Sequence, residues 1–450
     1  MTTSAKPETT EHGQISQPVQ AETPAKTHIA FNRPFMTGRE LHYIAQAHAG
    51  GHLAGDGPFT DRCHGWLEET TGATKALLTH SCTAALEMAA LLLNIEPNDE
   101  VIMPSFTFVS TANAFVLRGA VPVFVDIRDD TLNLDERLVE AAITPRTRAI
   151  VPVHYAGVGC EMDVLMEIAR RHGLNVVEDA AQAVMSKYKG RVLGSIGQFG
   201  AYSFHETKNV ICGEGGALLV NDPVYSQNAE IIREKGTDRS RFFRGEVDKY
   251  TWRLPGSSFL PSELTAAFLW AQLEAATMLT ERRLERWARY HRLLQRIEEK
   301  GWLRRPFVPE HCEHNAHMYY VLLSPELDRQ RVLAGLKESG VNAVFHYVPL
   351  HASPCGQEVG RAHGDLHNTT DLSSRLVRLP LWIELDDSCR TMWSIRWKGR
   401  LLRLFDESPC CTGFVVLSQC HCSRLVGSPR VLHWRCRLRL HVTAPRGSDA

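Results

Sequence analysis

Short runs of apolar residues alternate with stretches of helical periodicity along the first half of the chain. Strands are predicted at 76–79, 100–103, 121–126, 149–154, 176–178 and 217–220. Between them, apolar positions three and four apart predict helices at 84–93, 109–118, 134–143 and 163–172. The strands are continuous Val/Ile/Leu runs rather than alternating ones, as expected of strands covered on both faces. Such alternation predicts an α/β fold, a mostly parallel sheet with helices on both sides. Upstream, 37–47 and 59–71 also have helical spacing. They flank a loop at 50–57 whose glycines permit close approach of a ligand or another backbone. Downstream, a long helical region at 263–299 leads to a strand at 319–323 and a helix at 329–339. This is the outline of a smaller α+β domain, in which Pro354 and Gly356 mark a further loop.

Composition sets the boundaries. Residues 1–28 have hardly a bulky apolar side chain and read as a disordered leader. A large domain is expected over 29–270, a small C-terminal domain over 271–386, and an atypical Arg/Cys-rich tail over 387–450. The formal net charge is -1, which gives no reason to expect nucleic acid or an anionic membrane as partner. No run of 18 apolar residues predicts a membrane span. The N-terminus lacks the apolar core of a secretory signal, so a reducing cytoplasm is expected, with the cysteines as thiols.

In open α/β sheets ligands collect at the carboxyl ends of the strands. Ser81, Phe106, Asp126, His154, Asp179 and Lys208 lie at or just past such ends. Lys208 sits in a polar turn, Ser203-Phe-His-Glu-Thr-Lys-Asn209, just before the glycine-rich Gly213-Glu-Gly-Gly216. Taken alone it reads as a solvated surface lysine. Asp179, at the end of an apolar strand 29 positions earlier, changes that reading. A pyridoxal phosphate site needs a lysine for the aldehyde and a carboxylate to keep the pyridine nitrogen protonated. The turn His80-Ser-Cys-Thr83 between a strand and a helix supplies an anion site, where Ser81 and Thr83 add hydroxyls to the helix N–H groups. A plain N-cap is the alternative there. Phe106 fits either a ring stacked on the cofactor or a core aromatic, while His154 and His205 read as structural. Arg233, Lys235, Arg239, Arg241 and Arg244 form a basic stretch suited to a phosphate or diphosphate, or else a solvated loop.

Five stretches in order carry a family resemblance. They are Ser81-Cys-Thr-Ala-Ala-Leu86, Pro104-Ser-Phe-Thr-Phe-Val-Ser-Thr-Ala-Asn113, Glu178-Asp-Ala-Ala-Gln182, the Lys208 turn and Gly213-Glu-Gly-Gly-Ala217. Across roughly 29–386 the chain resembles the sugar aminotransferases of the DegT/DnrJ/EryC1/StrS family, which are fold-type I pyridoxal phosphate enzymes. The resemblance implies that Lys208 holds the cofactor as a Schiff base and shuttles protons, with Asp179 on the pyridine nitrogen. It further implies that Gln182 lies on the 3-hydroxyl side, that Phe106 stacks on the ring, and that Ser81, Cys82, Thr83 and Ser203 bind the phosphate. A homodimer is implied, with Asn228 completing the partner's phosphate site. The stretches from Arg233 to Trp252, Gly256 to Leu264 and Phe345 to His351 resemble members that aminate C4 of a dTDP-linked 4-keto-6-deoxyhexose. Glutamate would be the donor and 2-oxoglutarate its product. Arg233, Arg239, Lys249, His346 and Tyr347 are then candidate substrate contacts.

After Asp386 the resemblance stops. From Cys389 onward there are ten arginines, one lysine and three acids, and six of the twelve cysteines. Cys410-Cys411 and Cys420-His-Cys422 do not have zinc-finger spacing, and no metal is expected. A DNA-binding tail is one reading of the charge. The preferred reading is a frameshifted or foreign reading frame that leaves the small domain without its last helix and with apolar surface exposed. Two function classes therefore stand: an active aminotransferase, and a cofactor-binding protein without turnover. Related sugar 3-dehydratases are a third, and they carry histidine where this chain keeps Lys208.

Overall fold

A computed structural model describes residues 28–385, so the leader and the Arg/Cys-rich tail lie outside the described residues. Strands β1 (Lys75–Thr79), β2 (Glu100–Pro104), β3 (Val121–Val125), β4 (Thr147–Ile150) and β5 (Asn175–Asp179) come first. The short β6 (Lys187–Tyr188) and β7 (Arg191–Val192) follow, then β8 (Phe199–Ser203) and β9 (Gly216–Val220). The remainder are β10 (Leu303–Arg304), β11 (Cys312–Glu313), β12 (Tyr319–Leu323), β13 (Arg361–Ala362) and β14 (Leu376–Leu379). An eight-stranded sheet has the order β1-β9-β8-β5-β4-β2-β3-β13, in which only β9 runs against the rest. This is the mostly parallel α/β sheet that the apolar runs predict. A three-stranded antiparallel sheet, β10-β12-β14, packs under the helices Ala276–Glu298 and Arg329–Glu338 around Tyr290, Tyr319, Val321 and Leu336. Among the described residues, no helix is long and apolar enough to cross a membrane.

Alanines let the helix Cys82–Leu92 lie close on the sheet: Ala84, Ala85, Ala89 and Ala90 are all buried against β8 and β9. The helix Pro58–Thr71 is fixed at its start by Glu263, which is buried and 203 positions beyond Thr60 in sequence. Its carboxylate accepts from the N–H groups of Gly57, Phe59 and Thr60, at 3.1, 2.8 and 2.9 Å. First-turn N–H groups have no intrahelical partner, so this one side chain does the work of a cap.

The structure differs from the sequence reading at several joints. The helical region at 263–299 is two helices, Glu263–Glu274 and Ala276–Glu298, broken at Ala275, whose backbone leaves helical geometry. The loop expected at Pro354 and Gly356 is a short helix, Pro354–Val359. Ser353 caps it by accepting from Gly356 N at 3.1 Å, and proline occupies the first turn, where its missing N–H costs nothing. The strand expected over 149–154 ends at Ile150. Beyond it Val153 makes only an isolated bridge to Asp179.

β13 was not foreseen: two residues from the C-terminal part of the chain join the large sheet beside β3. Glu100, fully buried at the start of β2, holds it there by accepting from Arg361 Nε at 3.1 Å and Arg361 Nη2 at 2.7 Å. Arg146 and Thr144 add hydrogen bonds at 2.5 and 2.8 Å. Burial alone would raise the Glu100 pKa, but the hydrogen bonds from Arg361, Thr144 and Arg146 outweigh it and hold the carboxyl down at about 2. A carboxyl depressed in the folded state stabilises the fold above its unfolded value, 4.5, and loses that contribution as pH falls towards 2. Glu100→Gln is expected to cost roughly 1–3 kcal/mol at pH 7, the range for hydrogen bonds to charged groups. In urea titrations the gap between parent and variant should narrow as the pH is lowered below 4.5; a constant gap would contradict the assignment.

Candidate active site

The carboxyl ends of β1, β5 and β8 converge on one edge of the large sheet, and the turns that follow them bring the candidate residues together. Past β8, the chain folds back on itself: Phe204 N donates to Gly215 O at 2.8 Å and Cys212 N to Phe204 O at 2.7 Å. Lys208 N donates to His205 O at 2.9 Å, closing a tight turn. The Lys208 amine makes no hydrogen bond or ion pair among the described residues. Burial lowers its pKa, and the Arg378 charge pushes the same way, while Asp179 opposes both. A lysine so placed is more readily deprotonated and can act as a nucleophile.

Asp179 closes β5 and is buried. Its Oδ2 accepts from Thr111 Oγ1 at 2.6 Å and its Oδ1 from Ala181 N at 3.2 Å. Thr107 Oγ1 lies 2.7 Å from Thr111 Oγ1 and extends the chain. The carboxylate has no cationic partner within ion-pair distance among the described residues, which leaves it available to a positive ligand group. Next to it, Glu178 accepts from the N–H groups of Gly194, Ile196 and Gly197, at 2.8, 2.6 and 2.7 Å. His154 Nε2 lies 2.9 Å from Glu178 Oε2. His154 Nδ1 accepts from Cys160 N at 3.2 Å, so the proton is on Nε2 and the ring is a fixed brace for the strand end.

Ser81 is the N-cap of the helix Cys82–Leu92, its Oγ accepting from Ala84 N at 3.1 Å. The N–H groups of Cys82 and Thr83 are in the first turn, where the helix offers them no partner. Thr83 Oγ1 donates to Ser110 Oγ at 2.7 Å. Ser203 is buried at the end of β8. Gly216, pairing with both Ser203 and Thr79, is packed so closely that a Cβ there would collide with Cys82 N and Ser81 C. Gly216→Ala must therefore shift the helix start. Strain of about 1–3 kcal/mol from overpacking is expected to weaken phosphate-cofactor binding by roughly 10–100-fold, measurable by fluorescence titration of the apoprotein. Unchanged affinity would separate this turn from the cofactor.

Gln182 is held from both ends: its Oε1 accepts from Ala156 N at 2.7 Å and its Nε2 donates to Tyr347 OH at 3.2 Å. Phe106 is buried, its ring centroid 5.0 Å from that of Tyr155 and 5.7 Å from that of Tyr347. His346 is buried against the same wall, with Nδ1 3.0 Å from Tyr155 OH. Burial holds the His346 imidazole well below its ordinary pKa, aided by Arg378 and Lys208, so it is neutral.

Several residues here carried no signal in the sequence reading. Asn209 Nδ2 donates to Asn315 O at 2.8 Å, and Asn315 Nδ2 donates to Gln182 O at 2.9 Å. His317 Nδ1 lies 3.2 Å from Asn209 Oδ1. This network ties the turn carrying Lys208 to the turn carrying Gln182 through the segment before β12. Thr111 stood inside a quoted motif, but its hydrogen bond to Asp179 could not be inferred from spacing.

The remaining candidates lie elsewhere. Arg233 is buried, its Nε donating to Leu78 O at 2.7 Å and its Nη1 pairing with Asp56 at 2.6 Å. Arg239 is exposed and lies over the Phe243 ring, 5.1 Å from its centroid. Both line a cavity of about 810 Å³ with Lys75, Lys235 and Arg244, whose lining includes neither Lys208 nor Asp179. Lys249 and Asn228 are exposed on the surface.

The cofactor inferred from the sequence fits this arrangement on the structure's own terms: an unpartnered, half-buried amine, a buried carboxylate with no ion-pair partner among the described residues, and a helix start with free N–H groups. Comparison with known proteins agrees. The sequence profile of the DegT/DnrJ/EryC1/StrS aminotransferase family matches residues 34–391. The spore coat polysaccharide biosynthesis protein SpsC of Bacillus subtilis is 34% identical over 367 residues, covering 80% of this chain and 93% of that protein. The aminotransferase TlmJ from Streptoalloteichus hindustanus is 29% identical with a TM-score of 0.76, covering 84% of this chain and all of that one. Spr1654 of Streptococcus pneumoniae, in its PLP form, is 26% identical with a TM-score of 0.74, over 82% of this chain and 99% of that one. The chain belongs to the DegT/DnrJ/EryC1/StrS aminotransferase family.

Proposed function

We propose that this chain is a pyridoxal phosphate-dependent dTDP-4-amino-4,6-dideoxygalactose transaminase. It would move an amino group from L-glutamate to C4 of a dTDP-linked 4-keto-6-deoxyhexose, making an amino sugar for cell-surface polysaccharide. The observation that carries the reading is the half-buried, unpartnered Lys208 amine sharing one sheet edge with the Asp179 carboxylate. When bound, the cofactor supplies the electron sink that amino-group transfer requires. The chain's own residues do the rest. Lys208 would hold the cofactor and then move a proton on and off the reacting carbon, a task its lowered pKa suits. Asp179 would keep the ring nitrogen protonated, oriented by Thr111. Ser81, Cys82, Thr83 and Ser203 would receive the phosphate at the helix start, with Asn228 of a second copy completing it. Gln182 would face the ring hydroxyl. The choice of a dTDP-linked 4-keto sugar rests on the sequence of the basic stretch and of the Phe345-His-Tyr-Val-Pro-Leu-His351 turn.

The test is an absorbance spectrum of the purified protein before and after L-glutamate, followed by a dTDP-linked 4-keto-6-deoxyhexose. A cofactor band that glutamate converts to the amine form, and that the keto sugar restores, is the expected result. The product's C4 amine is then read by NMR. A band that glutamate leaves unmoved favours a cofactor-binding protein without turnover.

A further inference from the structure

Among the described residues, the arginines packed into the fold nearly all have partners. Arg361 is held by Glu100, Arg305 by Glu298, Arg128 by Asp130 and Glu136, and Arg233 by Asp56. Arg283, buried without an acid, donates to Ala316 O and His317 O at 3.1 and 2.8 Å. Arg378 is different. Its guanidinium makes no hydrogen bond and no ion pair among the described residues, and its Nε is buried without a partner. It lies over a ring face, its Cζ 4.8 Å from the centroid of Phe31.

The backbone beneath it is rigid. Arg378 lies in the middle of β14, opposite Tyr320 on β12, and exchanges hydrogen bonds of 2.7 and 3.1 Å with Val344. The side chain therefore starts from a fixed point. Its charge acts on Lys208, His317 and His346, and the Tyr155 and Tyr347 phenols act on it in turn, so it belongs to the centre that Lys208 occupies. The cationic side chains of that centre are Lys208 and Arg378, and its carboxylate is Asp179.

Arg378 is half-buried, but its Nε is shut off from water with no partner and its charge has no counter-ion, an arrangement that costs free energy and persists where a ligand supplies the missing charge. A guanidinium fork stacked on a ring offers two parallel N–H donors, which match a planar carboxylate. We propose that Arg378 anchors a carboxylate of the amino donor, and of the 2-oxo acid left after its amino group has gone. The inference rests on the transaminase reading above. A sugar diphosphate is the other anion to consider. It is less well matched, because the 810 Å³ cavity elsewhere already offers Arg239, with Arg244 and Lys235 beside it on Glu230, Glu246 and Glu234.

The experiment compares the holoenzyme with Arg378→Gln and Arg378→Lys. Glutarate, a dicarboxylate with no amino group, is titrated calorimetrically. The two half-reactions are followed separately by absorbance. In Arg378→Gln, glutarate affinity is expected to fall about 10–100-fold, the loss of hydrogen bonds to a charged group. The KM for L-glutamate should rise by a similar factor, with a much smaller change in its kcat. Arg378→Lys should recover part of the loss, and the sugar half-reaction should fall far less. The melting temperature of Arg378→Gln should hold or rise, since an uncompensated charge with a desolvated, unpartnered Nε is gone. Unchanged glutarate and glutamate constants overturn the proposal. So does a loss confined to the sugar half-reaction, or a drop in melting temperature with glutarate binding intact. If the parent's absorbance does not respond to glutamate, the transaminase reading has failed, and the glutarate titration still decides the role of Arg378.

Discussion

Lys208→Ala is expected to eliminate turnover and the absorbance band of a covalently held cofactor, while leaving the fold intact. Two independent losses combine. The amine is the group that would bind the aldehyde, and alanine offers nothing in its place. The same amine would move the proton during transfer, and loss of a positioned general acid–base alone costs about 10²–10⁴-fold in rate. Stability should hardly change, because the amine makes no hydrogen bond or ion pair among the described residues and its burial is itself unfavourable. That combination separates a chemical role from a structural one. Lys208→Arg is the sharper control, since arginine keeps the charge but stays protonated and cannot form the linkage. If either variant turns over glutamate and the keto sugar at the parental rate, the assignment of Lys208 is wrong.

How much of this was readable beforehand depends on the range of the interactions involved. The order of strands and helices through β5, and β9 after it, was legible because each of those strands is a continuous apolar run and each helix has its own periodic face, whereas β6, β7 and β8 between them were not assigned as strands. Asp179 and Lys208 stood out because an acid directly after a strand and a lysine in a small-residue turn are local patterns. The break at Ala275 was not legible, since both flanking helices share good helix formers across it. Nor was β13: two residues make no pattern, and what places them is Glu100, 261 positions away from Arg361. Glu263 capping the helix Pro58–Thr71, and Asn315 bridging the turns of Gln182 and Lys208, are equally remote in sequence. Arg378 gave no signal because its meaning lies in what it lacks, and a missing partner can be recognised only when the neighbours are in place. The basic stretch shows the reverse. Its arginines looked alike in sequence, yet Arg233 is locked to Asp56 and Leu78 inside the fold while Arg239 reaches solvent.

Asp179→Asn is the second large effect, and it isolates charge from shape. The asparagine carbonyl can still accept from Thr111 Oγ1 or from Ala181 N, the two partners the carboxylate has now. The negative charge is lost, together with one of these two accepted hydrogen bonds. A ring nitrogen facing a neutral amide is no longer held protonated, and the ring accepts electrons from the reacting carbon less well. Removal of one preorganised electrostatic partner of this kind costs about 10²–10³-fold in kcat. Cofactor affinity should fall much less, since the phosphate contacts at the helix start are untouched. Thr111→Val should reproduce a fraction of the kcat loss, because it leaves the charge in place and removes only its orientation. The ordering of the three proteins in kcat, parent above Thr111→Val above Asp179→Asn, is what a charge acting on a bound ring requires. If Thr111→Val were the worse of the two, Asp179 would be a structural acid serving the Thr107–Thr111 hydroxyl chain, and the electron sink would have to be sustained by another group.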